Sequence, residues 1–184
     1  MKAYAGIGSR ETPHDRRAIM LRIAYALRDG GWLLRSGGAV GADTAFARGA
    51  HPFGVSISVD KAPFHHLGLP QRAFEIAEDH HPAWHKCSGV ARALLARNVV
   101  ILLGIALDDP VTFVVYWHPE NATRGGTLHA IRVAADNAIP AYNVDDIYDD
   151  LDVWLPEMER LVDARKRGDD VHVLWERAQN WRSQ

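Results

Sequence analysis

The chain has 184 residues, 47% of them hydrophobic, and a net charge of −2; that length and apolar content suit one domain with a sizeable core and exclude a disordered or linker sequence. A single cysteine, Cys87, excludes an internal disulfide and makes a reducing cytoplasm the expected compartment. The opening residues lack the apolar length of a signal peptide, and the longest apolar run, Val99 to Leu107, is too short to cross a bilayer, so no membrane association is expected.

In chain order, Lys2 to Ile7 reads as a buried strand, followed by a loop through Pro13. Ile19, Leu21, Ile23, Ala24 and Leu27 recur at helical spacing within Pro13 to Arg28, and Asp29-Gly30-Gly31 ends that helix. Trp32 to Arg35 is a second strand, and Asp43 to Arg48 begins a second helix. Val55 to Val59 alternates as a strand. Residues 60–87 carry several prolines and most of the histidines and give no clear period. Gly89 to Arg97 is helical, and the apolar run from Val99 is read as its continuation because Val111 to Trp117 is the better strand. A loop at 118–124 leads to Gly125-Gly126-Thr127, which opens a helix to about Asn137. Ile139 to Asn143 is a last strand, and helices follow at about 146–166 and 170–182. Strands alternating with helices imply a Rossmann-like three-layer α/β/α sandwich with a mostly parallel sheet. The expected organisation is one domain over 1–145, with a helical tail over 146–184 packed on it.

Three glycine turns sit where strands meet helices. Gly6-Ile7-Gly8-Ser9-Arg10 follows the first strand, Ser36-Gly37-Gly38-Ala39-Val40-Gly41-Ala42-Asp43 follows the second, and Gly125-Gly126-Thr127 opens a late helix. Glycine lets the backbone approach a ligand closely, and the first N–H groups of a helix suit phosphate oxygens. Ser36 adds a hydroxyl, and Asp43 suits a helix cap or a sugar hydroxyl. One such turn alone more often only joins a strand to a helix; three along one sheet edge favour a ligand. The first turn lacks the third glycine of a dinucleotide fingerprint, and the second lacks the lysine of a P-loop, so neither chemistry is expected. Residues 1–50 carry net charge +4 and residues 143–184 net −5, which places an anionic ligand towards the amino-terminal half.

Arg10 and Arg97 are candidate phosphate forks. Trp117 ends a strand on the expected ligand edge and is a candidate for base stacking; the competing reading is a core-edge tryptophan. Glu11, Asp43 and Glu120 are the carboxylates near the loops worth testing for acid/base work. His80, His81, His85 and Cys87 lack paired metal-ligand spacing, so no metal site is expected.

Taken together, Gly6-Ile7-Gly8-Ser9-Arg10, the Ser36–Asp43 loop, Arg97-Asn98 and Gly125-Gly126-Thr127 resemble, in the same order over about residues 3 to 144, the DprA/Smf-like recombination mediators and the wider SLOG superfamily, which includes the LOG phosphoribohydrolases. The opening Tyr4-Ala5-Gly6-Ile7-Gly8-Ser9-Arg10-Glu11-Thr12-Pro13 is similar to short stand-alone members carried by bacteriophages, which would make the host cytoplasm the compartment. The resemblance implies a Rossmann-like sheet, self-association into a dimer or larger homo-oligomer, and binding of single-stranded DNA or a nucleotide. Carried over by position, it implies a site lined by Gly8, Ser9, Arg10, Ser36, Gly37, Gly38, Ala39, Gly41, Asp43, Arg97, Asn98, Gly125, Gly126 and Thr127. DprA proteins usually carry further domains, for which this chain has no room, so their partner-loading role is not expected. The LOG enzymes have a Pro-Gly-Gly-x-Gly-Thr motif followed by a catalytic Glu; Arg124-Gly125-Gly126-Thr127-Leu128-His129-Ala130 has neither Pro nor Glu. The sequence thus favours a binding protein over an enzyme, with a LOG-like nucleotide phosphoribohydrolase as the alternative. Its ligand is single-stranded DNA or a free nucleotide, and it requires no cofactor.

Overall fold

In the computed structural model the first strand, β1 (Ala3–Gly8), leads into α1 (His14–Asp29), and β2 (Leu33–Ser36) into α2 (Ala42–Ala50). Next come β3 (Gly54–Ser56), α3 (Gln71–Asp79), a 3-10 turn at Trp84–Lys86 and α4 (Gly89–Leu103). The chain continues through β4 (Phe113–Trp117), α5 (Gly126–Asp136), β5 (Ala141–Asn143) and α6 (Val144–Ile147). The structure describes residues 2–56 and 68–147, together with Trp154, Pro156, Arg160, Asp163 and Arg167. The end of the expected third strand, 57–59, and most of the two expected terminal helices lie outside the described residues. The start of the first of them is α6, and Trp154 is helical and buried, stacked edge-on against Phe113 and Tyr142.

All strand pairs are parallel, in the order β3-β2-β1-β4-β5. The central strand β1 alternates its side chains between two cores. Tyr4 joins Ile19, Ile23, Leu27, Phe46 and Phe113 under α1 and α2, while Ala3, Ala5 and Ile7 join Leu95, Val99, Val114 and Val133 under α4 and α5. Burial on both faces accounts for the near-continuous apolar strands, as parallel sheets demand. The Rossmann-like three-layer fold expected from the sequence is the fold observed.

Two elements differ from the sequence reading. The helix read through Val99 to Leu107 stops at Leu103, where Gly104 takes φ +80° and turns the chain back. The continuation itself is correct: Val99 to Leu103 are all buried, so α4 is apolar all round because α3 and α5 flank it and the sheet lies beneath. Helix α3 falls in the stretch that showed no period. Its fully buried residues are Ala73 and Ala77, with Phe74 and Ile76 packed partly buried beside them; this apolar stripe at helical spacing is present in the sequence and is masked only by the prolines and histidines around it.

Candidate functional site

With order 3-2-1-4-5, the chain leaves β1 towards one edge of the sheet and later returns to β1's other side as β4. The loops after these two strands diverge and open a crevice, where open α/β sheets take ligands. A cavity of about 670 Å3 occupies this position.

Its first wall is the turn after β1. Ser9 N–H donates to the Trp117 carbonyl at 3.1 Å and extends the β1–β4 pairing by one residue. The Ser9 hydroxyl accepts from Glu11 N–H at 3.1 Å, and the Ser9 carbonyl accepts from the Thr12 hydroxyl at 2.6 Å. This turn presents the exposed side chains of Arg10 and Glu11 to the cavity. The second loop is pressed against it. Gly41 has φ +95°, and a Cβ there would lie 2.6 Å from the Ser9 carbonyl oxygen, so only glycine allows the contact.

The second loop does not face the cavity as a bare row of N–H donors. The Ser36 hydroxyl is buried and donates to the Gly6 carbonyl at 2.7 Å. The Asp43 carboxylate, 3% exposed, accepts from Ala39 N–H at 3.2 Å. Burial pushes its pKa up; the Ala39 N–H, the Arg97 guanidinium and the N–H groups of Gly37 and Gly8 act in the opposite direction. The loop thus folds around the protein's own carboxylate. Asp43 sits inside the first turn of α2 and not at its cap, which is Gly41. Of this loop only Ala39 and Asp43 line the cavity.

Arg97 and Asn98, near the middle of α4, join this loop to the third. Arg97 donates to the Gly37 carbonyl at 3.0 Å and to Asn98 Oδ1 at 3.1 Å, and Asn98 Nδ2 donates to the Gly126 carbonyl at 3.1 Å. The guanidinium lies flat against Gly37: a Cβ there would fall 2.4 Å from Arg97 Cζ. Burial lowers the Arg97 pKa, Asp43 raises it, and Arg10 lowers it further. Arg10 and Arg97 both line the cavity, so two like charges share its wall. Among the described residues, Arg97 Nε is buried without a hydrogen-bond partner. The third wall is the start of α5, where Gly125 to Leu128 line the cavity and the first-turn N–H groups have no partner within the helix. Leu94, Leu95 and Ala122 supply apolar surface, and Arg124 a third guanidinium.

The structure therefore brings Gly8, Ser9, Arg10, Ala39, Asp43, Arg97, Asn98, Gly125, Gly126 and Thr127 to one cavity. Ser36, Gly37, Gly38 and Gly41 shape the loop behind it without lining it. Trp117 is placed elsewhere. It is buried in the core under α1, and its Nε1 donates to Asp145 at 3.0 Å, the same carboxylate that Arg16 holds. The core-edge reading is the observed one, and no base can reach this ring. Sequence reasoning missed Arg124 and the apolar wall. A basic residue directly before a glycine pair that opens a helix was an available signal, and Leu94 follows from Arg97 by helical spacing.

Away from the cleft, His80 is hydrogen-bonded to the Ile76 carbonyl and faces Asp136, and Cys87 contacts His81 at 3.7 Å. Among the described residues no group of three or more His, Cys, Asp or Glu side chains is arranged to hold a metal ion. No described helix is long and apolar enough to cross a membrane.

No family model and no curated protein sequence matches the chain. A solved structure of DNA processing protein A from Helicobacter pylori, described for its single-stranded DNA binding mode, is similar to it with a TM-score of 0.53 and 19% identity. The match covers 77% of this chain and 64% of that one, somewhat less than two thirds of its length. At that identity the likeness is one of fold.

Proposed function

We propose that the cleft binds one nucleotide unit of a single-stranded DNA, with a phosphate seated between Arg10, Arg97 and the first turn of α5. The observation that carries this reading is that Arg10, Arg97 and the amino-terminal turn of α5 line one cavity. Like charges held together cost free energy that an anion relieves, and the partial positive charge of α5 adds to the attraction. The Ser36–Asp43 loop contributes shape rather than donors, because Asp43 already holds the anion position within it. Leu94, Leu95 and Ala122 give the sugar and base an apolar wall. The likeness in fold to DNA processing protein A supports the polymer as ligand.

One observation favours a second reading, a free nucleotide: the cavity volume of about 670 Å3 lies in the range of small-molecule pockets. The two separate by salt. A strand contacts several phosphates, and the logarithm of its affinity falls against log salt by about 0.7 per phosphate released; a single nucleotide gives a shallow slope and one ligand per chain. In either case Arg10→Ala, at an exposed position, is expected to weaken binding roughly tenfold or more, since a hydrogen bond to a charged group contributes about 1.5–3 kcal/mol. Full affinity in that variant for both oligothymidylate and mononucleotides would overturn the proposal.

A further inference from the structure

Helix α1 begins at the cleft end of the sheet and runs back to the opposite end. Its 16 residues span roughly 24 Å. Along its second half Arg22, Tyr25 and Arg28 recur every third residue and so share one face. Arg22 and Tyr25 are exposed, the Arg28 guanidinium stands 4.9 Å from the centre of the Tyr25 ring, and its Nη1 reaches the His51 carbonyl at 3.5 Å. Helix α2 crosses α1 here so closely that a Cβ on Gly49 would lie 2.5 Å from the Leu21 carbonyl oxygen. Arg48, the residue before that contact, is exposed. Beyond it Phe53 is 59% exposed at the entry to β3. Among the described residues Arg22 and Arg48 form no ion pair, and the acidic neighbour on α1 is Asp29, which Arg28 holds at 2.7 Å.

We infer that this basic and aromatic patch, Arg22, Tyr25, Arg28, Arg48 and Phe53, is a second contact surface for a single-stranded nucleic acid, at the end of the molecule away from the cleft. Two unpaired guanidiniums beside two exposed rings match the chemistry of such a ligand, phosphates for the arginines and base faces for Tyr25 and Phe53. A protein partner would have to bring carboxylates to the two arginines, whereas a nucleic-acid strand supplies phosphates and flat base faces together. The inference rests on the strand reading of the cleft and extends it: the cleft holds one unit, and the patch engages the same strand further along.

The test compares a short oligothymidylate, no longer than the cleft, with one several times longer, on the whole chain. The double variant Arg22→Glu, Arg48→Glu is expected to bind the short ligand as the wild type does. It should bind the long one at least about tenfold more weakly, with a log-log salt slope shallower by about 1.4, two phosphate contacts' worth. Tyr25→Ala with Phe53→Ala should also weaken the long ligand while leaving the slope unchanged. Equal long-ligand affinity and slope in wild type and charge variant would overturn the patch and leave the cleft reading standing. Equal losses for both ligands would overturn it too, since the variant would then be acting through the cleft. A change in oligomer size with unaltered affinity would assign the patch to contacts with the chain's own acidic segments instead. Failure of the wild type to bind either ligand would remove the cleft reading and this one together.

Discussion

Arg97 owes its place to a missing side chain. It lies flat on Gly37 because nothing projects from that position, and it holds the Gly37 carbonyl and Asn98 at once. Gly37→Ala is therefore expected to displace the guanidinium, weakening ligand binding roughly tenfold or more while thermal stability falls by a small amount; oligonucleotide titration beside a melting curve checks it. Asp43 is the opposite case, a buried charge that the surrounding donors need. Asp43→Ala removes the acceptor for Ala39 and the countercharge of Arg97. It is expected to cost about 1–3 kcal/mol, as a buried donor left without its acceptor does, measured by urea denaturation. At this scale the sequence was informative about backbone and poor about direction. The glycines and the Arg97-Asn98 pair stood out by type. Whether a loop N–H faces a ligand or a neighbouring carboxylate is decided by packing between α2 and β1, so Asp43's inward role was not legible. The same holds for Trp117: its position at the end of β4 was correct, but the face it takes follows from Asp145 and Arg16, distant in sequence.

Element by element, periodicity served where a helix has one apolar and one polar face, as in α1, and could not decide where the run is apolar on every face, as in α4. The mid-chain helix α4 was readable only by weighing its apolar run against Val111 to Trp117 as the better strand, and the stripe Ala73, Phe74, Ile76 and Ala77 of α3 was passed over among prolines and histidines. Helix α5 joins the cleft to the core beneath it. Its His129, 1% exposed, donates from Nε2 to the Ala77 carbonyl at 2.9 Å, while Nδ1 is buried without a partner among the described residues. Burial lowers its pKa from 6.5 to about 4, with the Ala77 carbonyl opposing. The unfolded chain therefore takes up this proton first as the pH falls. The contribution of His129 is complete above pH 6.5 and is lost as the pH drops from there towards 4. The full effect is on the order of 3 kcal/mol. Urea midpoints should fall across that window more steeply in the wild type than in His129→Gln; parallel curves would show that His129 titrates normally.

For the whole molecule, the parallel order β3-β2-β1-β4-β5 is what turns three glycine turns, spread over some 120 residues of sequence, into one site. Each turn alone only connects a strand to a helix; the crossing from one side of β1 to the other makes their ends face a common crevice. That convergence could be expected from the alternation of strands and helices, and it is what the structure displays. The location of the positive charge was legible only in part. Of the basic residues in 1–50, Arg10 lines the cleft, while Arg22 and Arg28 lie along the second half of α1 and Arg48 near the end of α2. Composition could not separate the two ends of a helix. Arg97 and Arg124 complete the cleft from parts of the chain with no basic excess.

The most direct measurement is the set of backbone amide shifts in 15N-labelled protein as oligothymidylate is added. The largest changes are expected at Arg10 and Glu11 and at Gly126, Thr127 and Leu128 in the first turn of α5, with Ala39 following because Asp43 holds it. Shifts confined to Gly37 through Gly41, or absent from the start of α5, would contradict the placement of the phosphate between Arg10, Arg97 and that helix terminus.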